Sequence, residues 1–321
     1  MEILSAQNDG AIGEIGLASL KDAARLLLYL AGVVVLGALG APPLFWAGQY
    51  LVAHRILPSL AGFDFESYFH RALLVAALLL LWPLLRSLRL RNWRELGLEK
   101  NPRARADLAT GFVIAAVPLL CGGLVLIALH IYSLRHAFLW SKMPTVLAAA
   151  SVVPILEEIF FRGFLLGVLL RSFSRRSALL ITSALFSVVH FLKAPEQTSP
   201  NESVSWLSGF VSIAHSFWQF GDPLLLAAGF LTLFAIGCIL ADARLQTRSL
   251  WLPIGLHSGW IFANGTFSRA ARRAALALPW IGKDLLVGVG PLMIALASWM
   301  LMRRWLKHEN ARAPQPAPRT R

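Results

Sequence analysis

Long apolar blocks are the feature that most constrains how this chain can fold. Each block is close to the roughly 20 residues that a helix needs to cross about 30 Å of hydrocarbon. In lipid every backbone N–H and C=O group must be bonded internally, so only helices or a closed barrel can span the membrane, and these blocks are too long for barrel strands. The sequence therefore predicts an all-α fold, a polytopic transmembrane helical bundle of about eight spans. The predicted spans are residues 24–47, 69–88, 109–132, 143–170, 177–193, 223–241, 248–267 and 284–303.

The composition agrees with a membrane protein and argues against nucleic acid as a partner. Hydrophobic residues make up 57% of the chain and charged residues 15%, whereas a soluble domain has about 25% charged residues. The net charge is +13, but Lys and Arg stand just outside the apolar blocks and no nucleic-acid-binding motif accompanies them. Anchoring to anionic lipid head groups in the bilayer explains them better. Cys121 and Cys238 both lie within apolar blocks, so we expect no disulfide framework and no cysteine-based zinc site.

The basic residues also predict the orientation. Placing the N-terminus inside puts most Lys and Arg on the cytoplasmic side, so we expect both termini in the cytoplasm, although the basic cluster of residues 269–273 opposes this assignment. Residues 1–22 are polar and mixed in charge, which predicts no cleavable signal peptide. We expect an integral membrane protein, in the inner (plasma) membrane if the host is bacterial.

Three regions are expected along the chain. Residues 1–108 would hold two spans and a basic cytoplasmic loop, residues 109–303 a membrane helical core that contains the intramembrane acids and histidines, and residues 304–321 a disordered basic tail.

Two carboxylates and a guanidinium interrupt the fourth apolar block. Glu158 and Arg162 are four residues apart, so they share a helix face and can pair. Glu157 is rotated by about 100° and points elsewhere. Ionisable groups at this depth are expensive and are by default functional candidates. The alternative is a structural ion pair that, with a protonated glutamic acid, locks helices together.

Two further blocks each carry one histidine. Phe186 and His190 are one turn apart in the fifth span, and His257 in the seventh span is followed by Asn264 on the same face two turns along. A single histidine near a helix end is more often an interfacial or hydrogen-bonded residue. An acid pair and two imidazoles on three separate helices, at similar depth, favour a hydrolytic site.

These residues together resemble the CAAX-protease and bacteriocin-processing family of glutamic intramembrane peptidases, which includes the Rce-type endopeptidases. The family's Glu-Glu-x-x-x-Arg motif corresponds to Glu157, Glu158 and Arg162, and its Phe-x-x-x-His motif to Phe186 and His190. The family's later His-x-x-x-Asn motif is incomplete. His257 is followed by Ile261 where Asn is usual, and Asn264 is the candidate replacement.

The resemblance implies a mechanism and assigns roles. Glu157 and His190 would activate a water molecule, while His257 and Asn264 would stabilise the oxyanion. Glu158, Arg162 and Phe186 would have structural roles and tune the local electrostatics. The resemblance also implies a membrane-associated peptide or protein as substrate, and no cofactor. A zinc ion held by two His and a Glu is the competing, less favoured arrangement.

Two other classes of function remain open. In a non-catalytic scaffold or bacteriocin-immunity-type protein the same polar cluster would only fix helix packing. In a proton-coupled transporter Glu157 and His190 would form a proton relay. The chain lacks the internal repeats and paired broken helices typical of transporters, which disfavours the relay.

Overall fold

The computed structural model describes residues 2–88, 101–171, 173–191, 203–216, 223–274, 280–281 and 285–312. The described chain is almost entirely helical, which confirms the expected all-α class. The helices are α1 (Glu2–Ala53), α2 (Phe65–Ser87), α3 (Ala104–Ala128), α4 (Met143–Glu158), α5 (Leu166–Leu169), α6 (Arg175–Phe191), α7 (Ser208–Ser216), α8 (Pro223–Thr247), α9 (Trp251–Ala270) and α10 (Val289–Arg312).

A helix overlaps each of the eight predicted spans, but within the described residues four helical segments are long and apolar enough to cross a membrane by length and composition. These are Ala24–Ala53, Phe65–Ser87, Ala104–Ala128 and Leu226–Thr247. The protein is thus an integral membrane protein, and the total of eight crossings stays a prediction. Residues 304–312, which were expected to belong to a disordered tail, are helical because α10 continues to Arg312. Residues 313–321 lie outside the described part.

Short elements join the helices. A π-helix (Ile159–Leu165) separates α4 from α5, and two 3-10 turns cover Pro58–Gly62 and Trp140–Lys142. The strands β1 (Tyr132–Leu134) and β2 (Ala271–Arg273) pair antiparallel, with Tyr132 opposite Arg273. The basic cluster of residues 269–273 therefore begins at the end of α9 and continues into β2.

The chain divides into two compact units whose boundaries differ from the predicted regions. The first holds residues 1–92, 168–175 and 188–222, and the second holds residues 93–167, 176–187 and 223–321. The predicted boundary at residues 108 and 109 falls inside α3.

In the first unit α1 and α2 run antiparallel. A Cβ on Gly32 would meet Leu80, whereas one on Gly48 would meet Tyr68. Small residues and aromatic rings form the core of this helix pair, namely Ala38, Ala41, Phe45, Phe65, Tyr68, Phe69 and Ala72. Helix α7 packs closely on α1, since a Cβ on Gly209 would collide with the backbone of Ala38.

In the second unit α3 and α9 run parallel with their backbones close together. Cβ atoms on Gly255 and Gly259 would collide with the carbonyl oxygens of Leu108 and Phe112, respectively. Small residues at such spacing let membrane helices approach closely, where packing rather than water drives association. This contact sets the position of the central turns of α9, which carry His257.

The neighbours of α3 and α9 complete the second unit. Helix α4 lies antiparallel to α9, with Val146 near Gly265 and Glu158 near His257. Helix α10 runs antiparallel to α3, because Ile294 meets Gly122 and Glu309 meets Arg103. Helix α8 runs parallel to α10, with Thr232 bonded to Gly288 and Asp242 bonded to Trp299.

Candidate active site

A fully buried ion pair lies at the junction of α4 and the π-helix. Arg162 Nη1 donates a hydrogen bond of 2.7 Å to Glu158 Oε1, as the spacing of four residues predicts. Both side chains are 0% exposed. Arg162 Nη2 also donates to the Gly237 carbonyl oxygen of α8 at 3.3 Å. The guanidinium therefore joins two helices, and its planar fork reaches both acceptors from one position.

We did not predict the π-helix that carries Arg162 from the sequence. In this wider turn the N–H of Leu166 donates to the carbonyl oxygen of Phe161, five residues earlier. Short π-helices occur mostly within α-helices and often at functional sites. Pro154 lies inside α4 before this segment and is the one local signal of an irregular helix, since it lacks the N–H that would bond one turn back.

His257 contacts both carboxylates of the acid pair. Its Nδ1 lies 2.8 Å from Glu158 Oε1, and its Nε2 lies 3.8 Å from Glu157 Oε2. Because the Glu158 carboxylate beside Arg162 can only accept, Nδ1 carries the hydrogen of this bond. Nε2, on the side of Glu157, remains available to accept or donate a proton.

An aromatic wall encloses this cluster. The Arg162 guanidinium lies over the Phe186 ring, 4.3 Å from its centroid. Phe186 also packs edge-on against the rings of Phe161 and His257, and it is 1% exposed. A cation over an aromatic face is favourable, and more so where water is absent. Phe186 therefore holds Arg162 and His257 in fixed positions relative to each other.

The two neighbouring carboxylates have different surroundings. The Glu158 side chain is fully enclosed, whereas the Glu157 side chain is 29% exposed and makes interactions of its own. Glu158 is therefore committed to Arg162 and His257. Of the two side chains only that of Glu157 has an exposed part, while its Oε2, which faces His257, is itself buried.

The other predicted site residues have the following positions. His190 lies in the last turn of α6, one turn after Phe186, where it is half-buried and has interactions of its own. Asn264 lies in α9, half-buried and about 10 Å beyond His257 along the axis, since a helix rises 1.5 Å per residue. The structure thus brings together Glu157, Glu158, Arg162, Phe186 and His257. The role of each of these residues, like the participation of His190 and Asn264, stays a prediction.

Sequence reasoning missed several contributors to the site. The Gly237 carbonyl has no sequence signal, because a backbone acceptor can belong to any residue. Gly255 and Gly259, one turn apart, do carry a signal, the small-xxx-small spacing of close membrane helices. Among the described residues, no group of three or more His, Cys, Asp or Glu side chains is placed to hold a metal ion.

One comparison with known proteins gives a match. Residues 138–263 match the family model of the type II CAAX prenyl endopeptidase Rce1-like proteins. The matched segment contains Glu157, Glu158, Arg162, Phe186, His190 and His257, and it ends directly before Asn264. Comparisons with curated proteins and with solved structures found no match. The match confirms the resemblance drawn from the motifs: the segment that carries the buried polar cluster is similar to the Rce1-like family of CAAX proteases.

Proposed function

We propose that this protein is an intramembrane endopeptidase of the glutamic type, which hydrolyses membrane-associated peptides or proteins near a C-terminus or at a leader junction. The observation that carries the proposal is that the two adjacent glutamates differ in their partners and in their exposure to solvent. Buried Glu158 holds Arg162 and His257, while partly exposed Glu157 lies 3.8 Å from His257 Nε2. A purely structural ion pair has no need of the second acid.

Glu157 is the proposed general base. Its carboxylate would take a proton from a water molecule, with His190 as the partner that the resemblance implies, while the water oxygen attacks the carbonyl carbon of the scissile bond. Glu157 would then pass the proton to the departing amide nitrogen as the C–N bond breaks. The carboxylate is restored at the end of each turnover.

His257 is the proposed stabiliser of the oxyanion. Since Nδ1–H is engaged by Glu158, Nε2 can donate to an oxyanion only when the ring is an imidazolium. In that form Arg162 and His257 are positive and, with both glutamates negative, the cluster is neutral overall, which suits a site at membrane depth.

A non-catalytic scaffold is the second candidate, and one observation favours it. Ile261 occupies the position where the family usually has Asn, and Asn264 is two turns from His257. In that case the cluster would only fix the packing of α4, α8 and α9.

Peptide profiling in the native host separates the two candidates. Strains with wild type, Glu157→Gln, His190→Ala or a gene deletion are compared by mass spectrometry of C-terminal and leader peptides, with protein levels matched. Uncleaved precursors that accumulate in both variants and in the deletion support a peptidase. Variants that match wild type while the deletion differs support the scaffold.

A further inference from the structure

The surface of α10 changes character along its length. Its first half exposes apolar side chains, among them Met293 at 60% and Met300 at 56%. From Arg304 to His308 the exposed residues are all basic, namely Arg304, Lys307 and His308. Trp299 and Trp305 stand on either side of this change, and Trp is enriched at membrane–water interfaces. If α10 crosses the membrane as the predicted span 284–303, this change lies at the level where the helix meets the lipid head groups.

The start of α3 and the turn between α8 and α9 lie at the same end of the second unit as the charged end of α10. Arg103 beside α3 bonds to Glu309 of α10 at 2.7 Å, and its guanidinium lies over the Trp305 ring. Asn101 donates to Ser249, in the turn between α8 and α9. The start of α3, the α8–α9 turn and the end of α10 thus form one end of this unit.

The acidic side chains described at this end are already engaged within the protein. Asp107 accepts from Asn101 at 2.7 Å, and Glu309 pairs with Arg103. Asp242 accepts from Trp299 and pairs with Arg303 at 2.7 Å. Because these carboxylates already have partners, they balance little of the positive charge of other basic residues nearby.

Four basic residues at this end are exposed, and we call them the basic collar: Arg105, Arg248, Arg304 and Lys307. No ion pair between described residues involves any of the four. Arg248 has a φ of 54°, a left-handed conformation in which a helix end usually has Gly. An arginine at this strained position presents its charge in the turn between α8 and α9.

We propose that the basic collar binds the phosphate head groups of anionic phospholipids in the surrounding bilayer. The collar begins where the exposed apolar surface of α10 ends, which in the predicted span 284–303 is the depth of the phosphate layer. Basic residues near a membrane surface each contribute about a fivefold gain in affinity for anionic lipid. Bound lipid would fix the depth of the second unit in the bilayer. This inference does not depend on the proposed peptidase activity.

Lipid retention tests the proposal directly. The protein is purified in mild detergent, phosphatidylglycerol or phosphatidylcholine is titrated in, and bound lipids are counted by native mass spectrometry. Arg304→Gln/Lys307→Gln is compared with Lys142→Gln/Arg272→Gln, which removes two exposed cations outside the collar. We expect the collar variant to bind phosphatidylglycerol on the order of thirtyfold more weakly, the control to match wild type, and phosphatidylcholine binding to be unchanged in both.

A charge-preserving variant and a competition experiment complete the test. Arg304→Lys/Lys307→Arg keeps both charges and should retain the lipid, which separates loss of charge from misfolding. Equal binding by wild type and the collar variant would overturn the proposal, as would equal weakening by both Gln variants. Competition by soluble glycerol phosphate at concentrations comparable to those of the lipid would assign the collar to a free phosphate ligand and would also overturn it.

Discussion

Glu158 Oε1 accepts hydrogen bonds from both Arg162 and His257, at 2.7 Å and 2.8 Å. One buried carboxylate oxygen thereby links α4, the π-helix and α9, and through Arg162 it also reaches α8. Glu158, which orients His257, is only four residues from Arg162 in the sequence but 99 residues from His257. The position of the imidazole therefore depends on the ion pair.

Loss of Arg162 should destabilise the fold. Arg162→Leu leaves the Glu158 charge buried with only His257 beside it, and breaking a buried pair by removing one partner costs about 3–5 kcal/mol. Arg162→Lys should also fall below wild type, because an ammonium cannot serve Glu158 and the Gly237 carbonyl as a planar fork does. Thermal unfolding in lipid nanodiscs measures both, with exposed Arg105→Lys as the control. A wild-type midpoint for Arg162→Leu would contradict the buried ion pair.

The contact with Glu158 should fix the tautomer of His257. We expect Nδ1 to carry the hydrogen that is donated to Glu158 Oε1 in the folded protein. Nitrogen NMR of protein with ¹⁵N-labelled histidine reports each ring nitrogen, and His257→Gln identifies the signals. A neutral His257 with its hydrogen on Nε2 would show that Glu158 does not accept from this ring.

The close contact of α3 and α9 should tolerate no added side chain. In Gly255→Ala the new Cβ meets the Leu108 backbone, so α9 must shift, and overpacking of this kind costs about 1–3 kcal/mol. His257 lies two residues away and should move with the helix. Gly40→Ala is the matched control, since the nearest atom to its Cβ is Ala72 Cβ at 3.9 Å. Unfolding midpoints that fall equally in both variants would argue against this close contact.

Asn264 should matter less than His257. Removing one donor to an oxyanion costs about 10²–10³ in rate, and we expect that loss for His257→Ala. Asn264 is about 10 Å farther along α9, so Asn264→Ala should lower cleavage by a smaller factor, and Ile261→Asn should raise it by placing an amide one turn from His257. Rates of precursor loss after synthesis is stopped measure all three. An Asn264→Ala variant as inactive as His257→Ala would make Asn264 an equal partner.

The apolar blocks and the spacing of Glu158 and Arg162 could be read from the sequence, because they depend on local helix geometry. The hydrogen bond between Glu158 and His257 could not be predicted, because the sequence of neither helix specifies how α4 packs against α9. The extension of α10 to Arg312 was missed because its charged second half has no apolar block to mark it. The strands β1 and β2 are too short for any alternation to be visible.

The most direct test of the account compares Glu157→Gln with Glu158→Gln, two isosteric changes at adjacent positions. Cleavage of the precursors that accumulate in the deletion strain is measured per molecule of folded protein, together with the unfolding midpoint in nanodiscs. We predict that Glu157→Gln abolishes cleavage and leaves the midpoint unchanged, whereas Glu158→Gln lowers both. Cleavage by Glu157→Gln at the wild-type rate would contradict the account.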